Sequence, residues 1–148
     1  MIKKSISGFV FILGKGAISW RSCKQDTTVN STTVAEYIAV NEAAKEVVWI
    51  HKFIQELEVV PSIKSPITIY CDNSGAVANA VEPRAHQRAK HIAHKYHLIR
   101  NIIHRGDVTI TKIAFANNVV DPLTKALTQK VFEKHLEAIG IKYMYDWF

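Results

Sequence analysis

Two short runs near the start of the chain alternate apolar with polar or small residues. Residues 7–13 and 17–21 are rich in β-branched and aromatic side chains, and they flank the loop Gly14-Lys15-Gly16. A short Gly-containing loop between two such runs predicts an antiparallel β-hairpin. Beyond it, apolar residues recur at helical spacing over residues 33–58, so we predict one long helix that ends before Pro61.

The second half of the chain predicts further strands and helices. Its predicted elements are, in order, a strand at 67–71, a short helix that runs to 79, a basic helix at 90–104, a strand at 108–113 and a helical region at 117–140. Asn73-Ser74-Gly75 supplies the turn and cap of the short helix, and Pro122 interrupts the last region. This order predicts an α/β fold, a mixed sheet flanked by helices, as a single domain over residues 1–148.

Three carboxylates stand at marked places in this pattern. Glu36 lies early in the long helix, Asp72 follows the apolar strand, and Asp121 opens the sequence DPLTKAL. An acid that ends a strand is presented at the edge of the sheet, where a metal ion or polar ligand can reach it. Magnesium takes oxygen ligands and keeps several waters, so acids on three separate elements suit it. We therefore take these three residues as candidate magnesium ligands.

Each of these acids also has an ordinary structural explanation. Glu36 fits the N3 position of a capping box that begins at Thr33. Asp72 with Asn73 fits an Asx turn after a strand, and Asp121 fits a helix N-cap.

The charge of the chain favours polyanionic partners. Lys and Arg number 19 against 13 Asp and Glu, a net charge of +6, and residues 84–105 contain six Lys or Arg, five His and no acid. We predict that this basic segment binds nucleic acid, with the candidate residues Arg84, Arg88, Lys90, His91, Lys95 and Arg100. The alternative is a solvated basic face without function. A zinc site is disfavoured, because the histidines have no nearby Cys and no HExxH arrangement.

Other features limit the protein's location and partners. Cys23 and Cys71 are expected to be reduced thiols of an intracellular protein, since a chain of this size needs no disulfide. Ser7 and Gly8 break the apolar N-terminal run and no cleavage site follows, so secretion is not expected. No stretch approaches the roughly 20 apolar residues of a membrane span, so no membrane partner is expected. Trp20 and Trp49 are expected to pack in the core or against the sheet.

Five blocks of the sequence together resemble one known family. They are SISGFVFILGKGAISWRSCKQ, STTVAEYIAVNEAAKEVVWI, IYCDNSGAVANA, HQRAKHIAHKYHLIR and NNVVDPLTKAL. In this order they resemble the RNase H domain of copia-type (LTR) retrotransposon Pol polyproteins over about residues 5–128. Residues 129–148 would then be a C-terminal helix and an aromatic tail.

The resemblance implies an RNase H-like fold and magnesium-dependent hydrolysis of the RNA strand of RNA/DNA hybrids, with Mn²⁺ as a possible substitute ion. It implies that Glu36, Asp72 and Asp121 are catalytic and hold the metal ions. The family also has an Asp in a first strand upstream of the SxSG block. Only residues 1–4 precede that block here, and the earliest acid is Asp26. The first-strand acid therefore has no counterpart in this sequence.

In the family, the first strand is central and lies between the strands that correspond to residues 7–13 and 67–71. Its absence predicts two open strand edges that face a gap, and open edges favour pairing with another chain. We therefore expect a homodimer or a strand-supplying partner, weak ion binding and little or no cleavage. The alternative of a different class is a noncatalytic nucleic-acid-binding or protein-binding module derived from a retroelement.

Overall fold

The computed structural model describes residues 5–25, 31–60, 63–82 and 90–142, and for residues 90–93, 95 and 96 it describes the backbone alone. The elements in chain order are β1 (Ile6–Leu13), β2 (Gly16–Lys24), α1 (Thr32–Glu56), β3 (Ile67–Cys71), α2 (Ser74–Val81), α3 (Lys90–His104), β4 (Val108–Lys112), α4 (Asp121–Thr124) and α5 (Gln129–Ala138). A short 3₁₀ turn, Phe115–Asn117, precedes α4. The architecture is mixed α/β, with small sheets flanked by helices in an RNase H-like arrangement, which confirms the predicted fold class.

Strands β1 and β2 form the predicted hairpin. They pair antiparallel from Ile6 opposite Lys24 to Leu13 opposite Gly16, and the register shifts between Phe11 and Ile12. Gly14 and Lys15 turn the chain with positive φ angles of 60° and 71°. The hairpin prediction is confirmed, and β2 extends further towards its C-terminus than predicted.

Helix α1 confirms the predicted long helix, but the predicted capping box is wrong. The N-cap is Ser31, without a side-chain cap hydrogen bond, so Glu36 is the fifth helical residue rather than N3. The helix begins one residue before the start that the pattern predicts, because Thr32 already has helical geometry. The Glu36 carboxylate is therefore not part of a helix cap.

Strands β3 and β4 pair in parallel, from Ile67 opposite Val108 to Cys71 opposite Lys112. Helices α2 and α3 connect them, as the sequence order predicts. Buried side chains of α1, α3 and both strands form one core, with Tyr37 and Ile99 fully buried. This core fixes the N-terminal half of α1 beside the end of β3, where Asp72 lies.

The hairpin and the β3–β4 pair are separate two-stranded sheets within the described residues. Strands β1 and β3 line the same cavity of about 390 Å³, together with α1 and residues 117–120. Each of the two strands pairs along one edge only among the described residues. Within the described residues, β1 and β3 thus each have one edge without a partner strand, and both strands line one cavity.

The last helical region differs from the prediction. Pro122 does not interrupt it, because this residue lies in the first turn of α4, where its missing N–H group has no helical partner to lose. The break comes after α4, between Thr124 and Gln129, where Lys125 has an extended backbone. Helix α5 then ends at Ala138.

The two tryptophans are not in the core, so their predicted packing is wrong. Trp20 is 63% exposed and Trp49 is 60% exposed. Trp20 lies on β2, and Trp49 stacks on Phe53, one turn further along α1, with ring centroids 5.3 Å apart. Both lie on surfaces that no described element covers. Cys23 and Cys71 are free thiols, as predicted.

No helix in the described ranges is long and apolar enough to cross a membrane.

Candidate metal centre

Glu36 and Asp72 come together where the N-terminal half of α1 passes the end of β3. One potential ligand atom each of Glu36, Cys71 and Asp72 lies within 4.8 Å of the others. Glu36 also lines the cavity between β1 and β3. Two of the three predicted acids thus form a compact donor cluster beside the cavity between β1 and β3.

The turn after β3 fixes the position of Asp72. The Asn73 side chain accepts a hydrogen bond of 2.9 Å from the Ala76 N–H and so caps α2. The Lys112 ammonium donates to the Asp72 carbonyl oxygen and, at 2.7 Å, to the Ser74 hydroxyl. Asn73 is therefore the N-cap of α2, and the Asp72 carboxylate is not needed for that role.

Asp121 is the first residue of α4, and the N-cap is Val120, so the alternative N-cap explanation for Asp121 is wrong. The residue is only 4% exposed. One of its carboxylate oxygens lies 2.8 Å from the Lys125 ammonium, four residues further along the chain. A buried carboxylate needs such a partner, because removal of an unpaired charge from water is costly.

Contacts with the hairpin position α4. The Ser22 hydroxyl donates a 2.6 Å hydrogen bond to the Leu123 carbonyl oxygen. Gly8 on β1 lies so close to α4 that a Cβ atom there would be 2.7 Å from Thr124 Cγ2. The absence of a side chain at Gly8 therefore lets the helix that carries Asp121 pack directly on β1.

The pKa of Glu36 responds to burial and to the charges of the other two acids. Burial raises this pKa above its ordinary value most strongly, and the charge of Asp72 raises it further. Asp121 also raises the pKa of Glu36, whereas the Lys125 ammonium lowers it. Burial likewise raises the pKa of the Cys71 thiol. The cluster thus has an excess of negative charge that a cation would relieve.

The predicted basic residues are described only in part. Arg84 and Arg88 lie outside the described residues, and so do the side chains of Lys90, His91 and Lys95 on α3. Arg100 is partly buried, and its Nε atom makes no hydrogen bond with a described residue. The nucleic-acid-binding role of this segment stays a prediction.

Three further residues at the site were not predicted: Cys71, Lys112 and Lys125. Asp121 and Lys125 are four residues apart, a spacing that signals an ion pair in a predicted helical region, and the pair forms although Lys125 lies just past the end of α4. The contact of Lys112 with Asp72 depends on the pairing of β4 with β3, 40 residues apart in sequence. No local pattern could have indicated it.

The fold and the site together define a mixed α/β domain with an acid cluster beside a gap between two sheets. The chain is 37% identical, over 94% of its length, to the retrovirus-related Pol polyprotein from transposon TNT 1-94 of Nicotiana tabacum. It is 37% identical over 93% of its length to the Pol polyproteins from transposons RE2 and RE1 of Arabidopsis thaliana. It is thus homologous to a segment of retrotransposon Pol polyproteins.

The chain spans only about a tenth of the length of these relatives, 10% of the first and 9% of the other two. No family model matches the sequence. No solved structure matches it either.

Proposed function

We propose that this chain is an RNase H-type domain of a copia-type retrotransposon Pol polyprotein. Its reaction would be magnesium-dependent hydrolysis of the RNA strand of an RNA/DNA hybrid. The observation that carries the proposal is the cluster of Glu36 and Asp72 beside the cavity between β1 and β3, with Asp121 near enough for its charge to raise the pKa of Glu36. In the RNase H family, acids at the matching positions hold the metal ions.

The donor set fits a hard divalent cation. Glu36 and Asp72 supply carboxylate oxygens within 4.8 Å of each other, and the charge of Asp121 acts on Glu36. Carboxylate oxygens are the ligands that Mg²⁺ and Mn²⁺ prefer. Two bound magnesium ions would activate a water molecule and neutralise the developing charge on the leaving oxygen. The acids themselves would fix the ion positions, with α1, β3 and α4 as the rigid support.

The cavity between β1 and β3 is the proposed place of one further strand. Such a strand would pair with the open edges of β1 and β3 and would lie beside Glu36, which lines the same cavity. An Asp on that strand would complete the four-acid set of the family. Residues 1–148 by themselves would hold an ion weakly, because the acid that bridges both ions in the family is absent.

Nucleic acid is the proposed partner of the basic segment. Helix α3 carries Lys90, His91, Lys95 and Arg100, and residues 84–105 have no acid to oppose phosphate binding. Contacts of Lys and Arg with phosphates release counterions, so the affinity should fall steeply with salt.

The second candidate is a noncatalytic nucleic-acid-binding or protein-binding module derived from a retroelement. The ion pair of Asp121 with Lys125 favours it, since an acid already paired with an ammonium is less available to a metal ion. The first candidate predicts that the site cleaves an RNA/DNA hybrid once a further strand with an Asp completes it. The second candidate predicts that the completed site does not cleave.

The test is a hybrid-cleavage assay of the chain in Mg²⁺ and in Mn²⁺, with Asp72→Asn as the control. We expect binding of the hybrid with little or no cleavage, since loss of about 4 kcal/mol of transition-state stabilisation slows turnover roughly a thousandfold. Robust cleavage that Asp72→Asn abolishes would show that three acids suffice and that the fourth is not needed. Cleavage that survives Asp72→Asn would indicate a contaminating nuclease. Failure to bind hybrid would contradict the proposal.

A further inference from the structure

Lys125 is held in place beside the acid cluster by three contacts. Its ammonium lies 2.8 Å from a carboxylate oxygen of Asp121 and 3.7 Å from the centroid of the Phe115 ring. Its backbone N–H donates a 3.1 Å hydrogen bond to the Asp121 carbonyl oxygen. The side chain is nevertheless 35% exposed, so the ammonium has a path to solvent.

The charge of Lys125 acts on more than one acid. Asp72 and Asp121 raise the pKa of Glu36, and Lys125 lowers it, so the ammonium also favours the ionised form of Glu36. Lys112, the other lysine at the site, contacts a carbonyl oxygen and a hydroxyl instead of a carboxylate. Among the described residues, only Lys125 forms an ion pair with a candidate metal ligand.

We propose that Lys125 is a built-in counter-ion that competes with the divalent cation for Asp121. In the metal-free domain its ammonium neutralises the buried carboxylate. An ion that takes the same carboxylate oxygen must displace the ammonium, which then moves towards solvent. This inference rests on the proposed metal site, but it does not require that the chain cleaves RNA. Lys125 would be a positioning residue that sets the affinity of Asp121 for the divalent cation.

A competing counter-ion has an effect that a purely structural lysine lacks. Removal of the ammonium leaves Asp121 buried and unpaired, which lowers the stability of the metal-free domain. The same removal frees the carboxylate for the ion, which raises the ion affinity. A lysine with a structural role alone would lower both stability and ion affinity, because the carboxylate would lose its position.

The test measures Mn²⁺ binding by electron paramagnetic resonance and thermal unfolding in EDTA for the full chain. Lys125→Met should bind Mn²⁺ about fivefold more tightly than the parent, the factor that corresponds to an ion pair of about 1 kcal/mol. Its Tm in EDTA should be lower, and its gain in Tm on Mn²⁺ addition should be larger. Lys125→Arg keeps the charge and should bind Mn²⁺ within about twofold of the parent.

Two controls make the result decisive. Lys112→Met removes a positive charge from the same site without freeing a carboxylate. If it tightens Mn²⁺ binding as much as Lys125→Met, the effect is general electrostatics and the proposal is overturned. Lys125→Gln retains a hydrogen-bond donor for Asp121 and replaces Lys125→Met if that variant does not fold in EDTA.

The remaining outcomes separate the two proposals. A parent that binds Mn²⁺, with Lys125 variants that bind no more tightly, would overturn the counter-ion role and leave the metal site standing. A chain in which neither the parent nor the Lys125 variants bind Mn²⁺ would overturn both. Detectable binding in Lys125→Met alone would support both.

Discussion

Gly75 and Thr33 are in such close contact that a Cβ atom at Gly75 would lie 2.8 Å from Thr33 Cγ2 and 3.2 Å from Thr33 Oγ1. The contact joins the first turn of α2 to the first turn of α1. Because Asp72 lies just before α2 and Glu36 lies within α1, this close approach holds the two carboxylates in one cluster. The geometry of the site therefore depends on a position without a side chain.

Gly75→Ala should push the two helix N-termini apart. We expect a loss of stability of about 1–3 kcal/mol, the usual cost of overpacking, and a several-fold weaker affinity for Mn²⁺. A second substitution, Thr33→Ser, removes the Cγ2 atom and should restore part of the lost stability and part of the lost Mn²⁺ affinity. The control is Gly16→Ala, whose Cβ would meet only the Leu13 carbonyl oxygen at 4.0 Å. Urea unfolding and Mn²⁺ titration check the prediction, and parent-like values for Gly75→Ala would contradict it.

Glu36→Gln should stabilise the metal-free domain at neutral pH. Burial and the charge of Asp72 raise the pKa of Glu36, so the folded state binds this proton more tightly than the unfolded state does. The stability contributed by the protonated form is therefore present below the ordinary value of 4.5 and is lost as pH rises through the pKa of the folded state.

Thermal unfolding in EDTA between pH 4 and pH 7 provides the measurement. The Tm of Glu36→Gln should exceed that of the parent at pH 7, and the difference should shrink towards pH 4. Addition of Mn²⁺ should stabilise the parent more than the variant, since the variant lacks the carboxylate ligand. Glu56→Gln, at an exposed position of α1, is the control. A lower Tm for Glu36→Gln at pH 7 in EDTA would refute the assignment.

Local sequence patterns predicted the secondary structure well, and non-local contacts account for what they missed. The alternation in residues 7–13 and the helical spacing in 90–104 predicted β1 and α3 because side chains repeat every two residues along a strand and about every 3.6 along a helix. The patterns could not place Lys112 beside Asp72, since that contact requires the parallel register of β3 and β4. They also placed Trp20 in a packed environment, because residue type alone does not reveal which face of a hairpin another element covers.

The same difference between local patterns and non-local contacts applies to the candidate site. The places of Glu36, Asp72 and Asp121 in the sequence pattern made them candidate ligands, the resemblance implied a catalytic role for them, and the structure brings Glu36 and Asp72 together. A capping box was predicted from Thr33 and Glu36 because their spacing fits one, but the helix starts at Thr32, so Glu36 is its fifth residue instead of its third. The intracellular location and the roles of the basic residues stay predictions.

The edges of β1 and β3 that have no partner strand among the described residues should make the chain self-associate. We expect light scattering at micromolar concentration to show a homodimer, because unpaired edges beside an apolar cavity favour strand pairing. Ile12→Lys places a charge on β1 at the cavity and should shift the chain towards monomer. Ile18→Lys, at an exposed position of β2 that does not line the cavity, is the matched control. A monodisperse parent monomer would contradict the prediction.

Hybrid binding should depend on salt through the basic segment. The triple variant Arg88→Gln, Lys90→Gln, Lys95→Gln should weaken binding and reduce the slope of log K against log salt by about 2–3, since each phosphate contact contributes about 0.9. The matched control removes three exposed charges elsewhere, with Lys52→Gln, Lys130→Gln and Lys134→Gln. Fluorescence anisotropy with a labelled hybrid gives both slopes. Equal slopes for the two triple variants would mean that the segment is only a solvated basic face.

The most direct test of the RNase H-type assignment adds the proposed strand. An N-terminal extension with a short β-strand and a turn before Ser5 would let the strand pair antiparallel with β1 and enter the cavity beside β3. Two versions differ only in an Asp or an Asn at the strand position nearest to Glu36. The measurement is the rate of RNA-strand cleavage in an RNA/DNA hybrid with Mg²⁺. We expect the Asp version to cleave at about a thousandfold the rate of the Asn version, and Asp72→Asn to abolish that cleavage. If the Asp version binds the hybrid, lacks open edges and still cleaves no faster than the Asn version, the noncatalytic alternative is correct and the nuclease assignment is wrong.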